Sequence, residues 1–171
     1  SEGPKPYKTV IDSSAVSQYG LITVHRVKEK WYFEISDSIL NRSMMAVTRY
    51  SKTAAGGGIY GGEEVKRQML HWEKGPANKL FIRSNTIVVN SPDSSKPIFQ
   101  SVLNSNSDPI IASFDIKAIK TSANNKSYVI DVTDYFNGDE QSFGLGSVRK
   151  QLLKLKSIQK ESSFINRISA Y

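Results

Sequence analysis

The chain has 171 residues, 39% of them hydrophobic and 23% charged, with a formal net charge of +7 and no cysteine. These totals fit one globular domain with its own core and exclude wholesale disorder, disulfide staples and thiolate-rich zinc sites. No apolar run approaches the roughly 20 residues of a membrane helix, and Ser1-Glu-Gly-Pro-Lys-Pro6 does not read as a secretory leader.

Residues 1–19 carry no clear periodicity and are expected to form an N-terminal extension, with residues 20–171 a single mainly β domain. Residues 21–27 and 31–36 are rich in β-branched and aromatic side chains and flank a short charged connection, which predicts a β-hairpin. Alternation places Trp31, Phe33 and Ile35 on one face of a half-exposed strand and Tyr32 and Glu34 on the other. Ser36-Asp37 then caps a helical turn through Leu40.

Residues 44–52 form a third strand. The stretch 52–72 follows, with glycines at 56, 57, 58, 61 and 62, and leads into a fourth strand from Glu64. Pairing across the connection would bring Arg49 near the charges of the next strand. Gly75-Pro-Ala-Asn78 is a turn signal, so residues 64–73 and 79–90 make another hairpin.

Residues 97–103 suit a short amphipathic helix opened by Pro97. Residues 110–120 and 127–134 predict a further hairpin, with Phe114, Ile116 and Ala118 on one face. Asp131 ends its second strand and Asp134 caps Tyr135-Phe-Asn137. A short helix is expected after Gly144, and residues 163–171 read as a strand that reaches the last residue, as in a fragment of a longer protein. The fold class is therefore mainly β, an antiparallel sheet or β-sandwich of hairpins with two or three short helices; α+β is the alternative.

The glycine-rich stretch lacks Gly-Lys-Ser/Thr and the strand, loop, helix order of a phosphate cradle, so it reads as a β-connection. Gly56, Gly57, Gly58, Tyr60, Gly61, Gly62, Glu63 and Glu64 are the candidate contact loop to a neighbouring domain. His25 and His71 are the only histidines; lying apart without His-Glu-x-x-His, they read as packed or hydrogen-bonded side chains. Asp131, Asp134, Asn137, Asp139 and Glu140 are oxygen-rich but depart from calcium-loop spacing, and fit turns and caps. Serine is abundant without a Gly-x-Ser-x-Gly elbow. No catalytic residue, metal ligand or cofactor is expected in this chain.

Tyr7, Tyr19, Trp31, Tyr32, Tyr50, Tyr60 and Trp72 could form a platform for sugar or single-stranded nucleic acid, although strand packing is the commoner fate of such residues. Arg149, Lys150, Lys154, Lys156, Lys160 and Arg167 against Glu161 concentrate five of the seven net charges in residues 147–171. Such a basic patch suits nucleic acid, an anionic membrane or an acidic neighbouring domain, with a solvated face the commoner fate of surface lysines; of these no nucleic-acid partner is expected.

Several ordered motifs carry a resemblance: Gly20-Leu-Ile-Thr-Val-His-Arg-Val27, Trp31-Tyr-Phe-Glu-Ile-Ser-Asp-Ser-Ile-Leu40, Val47-Thr-Arg-Tyr-Ser-Lys-Thr53, Gly61-Gly-Glu-Glu64, Asn104-Ser-Asn106, Pro109-Ile-Ile-Ala-Ser-Phe-Asp-Ile-Lys-Ala118, Ile130-Asp-Val-Thr-Asp-Tyr-Phe136 and Ser162-Ser-Phe-Ile-Asn-Arg-Ile168. Together they resemble the uncharacterised domain that precedes the catalytic domain in large bacterial zinc-dependent metalloproteases of the metzincin-like His-Glu-x-x-His class. The resemblance implies a periplasmic, outer-membrane-anchored or secreted parent whose zinc lies in a downstream domain. The partners it implies are that domain and, through it, a polypeptide substrate. An independent binding module for glycan or an anionic surface is the alternative, and a steric prosegment a third.

Overall fold

The computed structural model describes residues 3–49, 62–85 and 108–137. Along them run α1 (Tyr7–Val10), β1 (Val16–Gln18), β2 (Thr23–Val27), β3 (Lys30–Ser36), a 3-10 turn (Asp37–Ile39), β4 (Met44–Arg49), β5 (Glu64–Lys74), β6 (Lys79–Ser84), β7 (Ile110–Ser122), β8 (Asn125–Asp131) and α2 (Thr133–Asn137). The strands form one eight-stranded sheet in the order β1-β2-β3-β8-β7-β6-β5-β4, with every strand pair antiparallel. The mainly β expectation holds, as a single sheet.

The hairpins fall where turn chemistry placed them. β2 and β3 join through Lys28-Glu29, with Lys28 at φ 56°. β5 and β6 join through a turn in which Ala77 and Asn78 both take positive φ, 50° and 56°, and the Lys79 N–H donates to the Pro76 carbonyl. This pair of left-handed residues is the type I′ geometry that matches strand twist. A Cβ at Gly75 would run into the Phe81 ring, so glycine is the residue that fits there. Ser36 caps the 3-10 turn by accepting from the Ser38 N–H.

The sheet is strongly curled. Phe33 on β3 and Trp72 on β5 stand four strand steps apart, about 19 Å in a flat sheet. Their ring centroids nevertheless lie 6.3 Å apart. The concave side is lined by Val24, Phe33, Ile35, Leu70, Leu80, Ile82, Phe114 and Ile130, with Val132 and Ile39 at its rim. Tyr135 and Phe136 of α2 complete a closed ring of rings, Phe33 to Trp72 to Phe114 to Tyr135 to Phe136 and back, with successive centroids 5.2 to 6.3 Å apart. Edge-to-face and tilted pairs of this kind add to the gain from area burial.

Several expectations need correction. Phe114 and Ile116 face the concave core, but Ala118 packs in a separate cluster on the convex side. A β-bulge between Ile116 and Ala118 inserts Lys117 as an extra residue and reverses the alternation. Tyr32 and Glu34 belong to the convex face, as alternation required, yet both are buried rather than half-exposed. Finally, Asp131 rather than Asp134 organises the turn into α2, its Oδ1 accepting from the Thr133 N–H at 3.0 Å.

The cover over Tyr32 and Glu34 is the segment expected as an N-terminal extension. The Lys5 N–H donates to the Lys117 carbonyl, Lys5 bridges to Ala118, and Ile11 is buried with Val27, Tyr32, Ala118 and Val129. β1 adds to the sheet beside β2. The expected strand 79–90 ends at Ser84, where Asn85 turns its side chain to His71 and Ser43. The expected helices at 97–103 and after Gly144, and the strand at 163–171, lie outside the described residues.

Candidate functional site: a buried carboxylate beneath the N-terminal segment

Strand pairing gathers polar residues from distant positions onto the convex face. Glu34 lies opposite Val129, Ala118 opposite Val129 in turn, Lys120 opposite Ser127, and Ser17 opposite His25. The bulge at Lys117 is what turns Lys120 toward this side. The Glu34 carboxylate, 9% exposed, receives four side-chain hydrogen bonds. Oε2 accepts from the Tyr7 hydroxyl at 2.7 Å and His25 Nε2 at 3.0 Å; Oε1 accepts from Ser127 Oγ at 2.9 Å and Lys120 Nζ at 3.2 Å.

Burial pushes the Glu34 carboxyl up, but the hydrogen bonds from His25, Tyr7, Ser127 and Lys120 outweigh it and hold the group down at about 2. Burial also pushes the Tyr7 phenol well above its ordinary range, and the bond to Glu34 adds to that. Tyr7 stands edge-on to His25, 6.5 Å between centroids, and Lys120 Nζ lies 5.0 Å from the Tyr7 ring centre. His25 reaches Ser17 Oγ through Nδ1 at 2.7 Å. The arrangement fastens the first residues of the chain to the sheet and fixes one imidazole between a carboxylate and a serine.

Beside α1 a cleft of about 820 Å³ is lined in part by Val10, Val27 and Tyr32, together with the paired ions Lys30 and Asp131. Among the described residues no group of three or more His, Cys, Asp or Glu is placed to share a metal ion, and no helix is long and apolar enough to cross a membrane.

The expected contact loop is described only at its end. Gly62 takes φ 89°, a left-handed conformation that favours glycine, and its carbonyl accepts from Arg49 at 3.1 Å. Arg49 pairs with Glu64 in register, as pairing across the connection required. Glu64 is held below the usual carboxylate range by the Arg67 hydrogen bond, 2.7 Å from that guanidinium and 3.8 Å from the Arg49 one. Glu63 lies just before β5. Gly56, Gly57, Gly58, Tyr60 and Gly61 lie outside the described residues, as does the basic patch of Arg149, Lys150, Lys154, Lys156 and Lys160.

Neither Glu63 nor Glu64 belongs to the Glu34 cluster. Sequence reasoning took His25 correctly as a hydrogen-bonded side chain and weighed Tyr7 only as part of an aromatic platform, but did not single out Ser17, Lys120 or Ser127. Their one shared signal is strand register, which a lone polar residue does not announce. Of the aromatic platform, Tyr32 and Trp72 are buried and Tyr7 is tied to Glu34, while Tyr19 is exposed. Asp131 is spent on the Thr133 N–H and Lys30.

One curled antiparallel sheet with a buried carboxylate at its convex side defines this architecture. Residues 62–171 match the family model described as Domain of unknown function (DUF5117), and residues 4–53 match Domain of unknown function (DUF5118). The first match covers more than half of the chain, which belongs to the DUF5117 family. No curated protein and no solved structure matches. The two matched segments interlock in space: β1 to β4 come from residues 4–53, β5 to β8 from residues 62–171, and strands of the N-terminal segment flank those of the C-terminal one on both sides.

Proposed function

We infer that the chain is a noncatalytic domain that packs beside a downstream zinc-metalloprotease catalytic domain of the same polypeptide and helps to shape or cover its cleft. The bacterial protein concerned would be periplasmic, outer-membrane-anchored or secreted. The ordered motifs between Gly20 and Ile168 support the protease association, and the shape of the sheet supports docking.

The observation that carries the docking role is the unequal treatment of one face. Over β2, β3, β7 and β8 the convex side is covered by α1 and the residues beside it and sealed around Glu34. Over β4 and β5 the same side presents Met45, 57% exposed, opposite Met69, 40% exposed, with Val47 beside them. Adjacent exposed apolar side chains mark interaction surfaces, and methionine adapts its shape to a partner. The glycine-rich connection leaves and re-enters the sheet at this same hairpin, through Arg49 and Gly62.

The test is a Met45→Glu, Met69→Glu double variant in the full-length protein. Both positions are exposed, so the domain keeps its own melting temperature while protease cleavage at the interdomain junction accelerates several-fold. Unchanged junction cleavage would count against docking through this face. The protease association is tested separately, by whether the gene continues past Tyr171 into a His-Glu-x-x-His sequence.

A further inference from the structure

Ser17 lies within β1, paired with His25 across the first two strands. Its Oγ is 2.7 Å from His25 Nδ1, and His25 Nε2 is 3.0 Å from Glu34 Oε2. An ionised carboxylate only accepts hydrogen bonds, so Nε2 carries a ring hydrogen, and in that tautomer of the neutral imidazole Nδ1 presents its lone pair to the serine hydroxyl. Glu34 is itself immobilised by Tyr7, Ser127 and Lys120. Hydroxyl, imidazole and carboxylate therefore stand in a line of hydrogen bonds, each held by the next.

We propose that Ser17 is an activated nucleophile that accepts an acyl group from a small activated ester, with His25 as its base and Glu34 as the residue that positions His25. The ring nitrogens are used in the reverse sense to the familiar serine, histidine, aspartate triad, in which Nε2 faces the serine. The chemical requirement is the same: a lone pair on the hydroxyl hydrogen and a fixed tautomer. Ser17 lies on β1, the last strand at one edge of the sheet, and is half-buried rather than buried, which is the exposure a small electrophile requires to meet the hydroxyl. His25 is buried behind it and meets the substrate only through the proton.

In the reaction Ser17 Oγ bonds to the ester carbonyl carbon as its proton passes to His25 Nδ1. The carbon to alkoxy-oxygen bond then breaks, and the alcohol departs with that proton. An acyl-serine and one alcohol result, with no change of oxidation state.

A neighbouring serine supplies the control. Ser14 Oγ donates to Asp12 Oδ1 at 2.6 Å, an exposed carboxylate with no imidazole between them. The experiment treats the whole chain with a fluorophosphonate probe and with p-nitrophenyl acetate, and follows each serine by peptide mass spectrometry. Ser17 is expected to label at least about tenfold faster than Ser14, since a positioned base contributes about 10²-fold or more to proton transfer. Ser17→Ala removes that label, and His25→Gln slows it to the rate of Ser14. Equal labelling of Ser17 and Ser14 in the unaltered chain overturns the proposal, as does a folded His25→Gln variant that still labels Ser17 at the original rate. If His25→Gln does not fold, the comparison of the two serines decides alone.

Discussion

Tyr7 donates its phenolic hydrogen to Glu34 across 2.7 Å, joining the first helical turn to the middle of the sheet. Tyr7 makes the N-terminal segment part of the fold, because its ring also rests against His25 and beneath Lys120. Tyr7→Phe keeps the ring and deletes one hydrogen bond to a charged acceptor, an expected loss of about 1.5–3 kcal/mol. Urea unfolding measures it. Limited proteolysis should show faster cleavage before Ile11; an unchanged midpoint and cleavage rate would contradict the clasp.

Glu34→Gln removes the charged acceptor shared by Tyr7, His25, Ser127 and the half-exposed Lys120, and the expected destabilisation is about 1.5–3 kcal/mol, the scale of a hydrogen bond to a charged group. Thermal unfolding at neutral pH reads it. A loss below about 0.5 kcal/mol, the scale of an ordinary surface substitution, would mean that the cluster contributes little.

Stability should depend on acid in a definite direction. The Glu34 carboxyl sits at about 2 in the fold against an ordinary 4.5, so its contribution is complete above 4.5 and is lost as pH falls from there through about 2. The integrated loss is about 3 kcal/mol. The groups facing it are His25, Tyr7, Lys120 and Ser127, and the Glu34→Gln variant should show a flatter profile over that window. Parallel profiles for the two proteins would place the acid sensitivity elsewhere.

The turn between β5 and β6 carries strain that substitution should relieve. Ala77 sits at φ 50°, where a Cβ costs about 1 kcal/mol and glycine pays none of it. Ala77→Gly is expected to raise stability by a few tenths to about 1 kcal/mol after the entropy of the freer unfolded chain is deducted. Gly75→Ala acts oppositely, because its Cβ must displace the Phe81 ring. Calorimetric melting of both variants checks the pair of opposite signs.

Local chemistry in the sequence sufficed for the hairpins, since Lys28-Glu29 and the Gly75 to Asn78 turn lie between alternating strands. It also placed Phe33 and Ile35 correctly. Ala118 was misplaced because one inserted residue, Lys117, changes the face of everything after it, and no side-chain preference advertises a bulge. Glu34 was expected at a half-exposed face because its cover, Tyr7 to Ile11, is a single helical turn too short to show periodicity. The Ser17, His25 and Glu34 line depends on the register of three strands. Polar residues at those positions read equally well as solvent-facing alternation.

The central claim is that the bare part of the convex face, at Met45, Val47 and Met69, is where a neighbouring domain docks. Hydrogen–deuterium exchange on the full-length protein, compared with this chain alone, tests it most directly. Docking predicts that amides of β4 and the Gly62 end of β5 gain protection in the full-length protein while those around Tyr7 and Glu34 do not change. Identical exchange along β4 and β5 in the two proteins would contradict it.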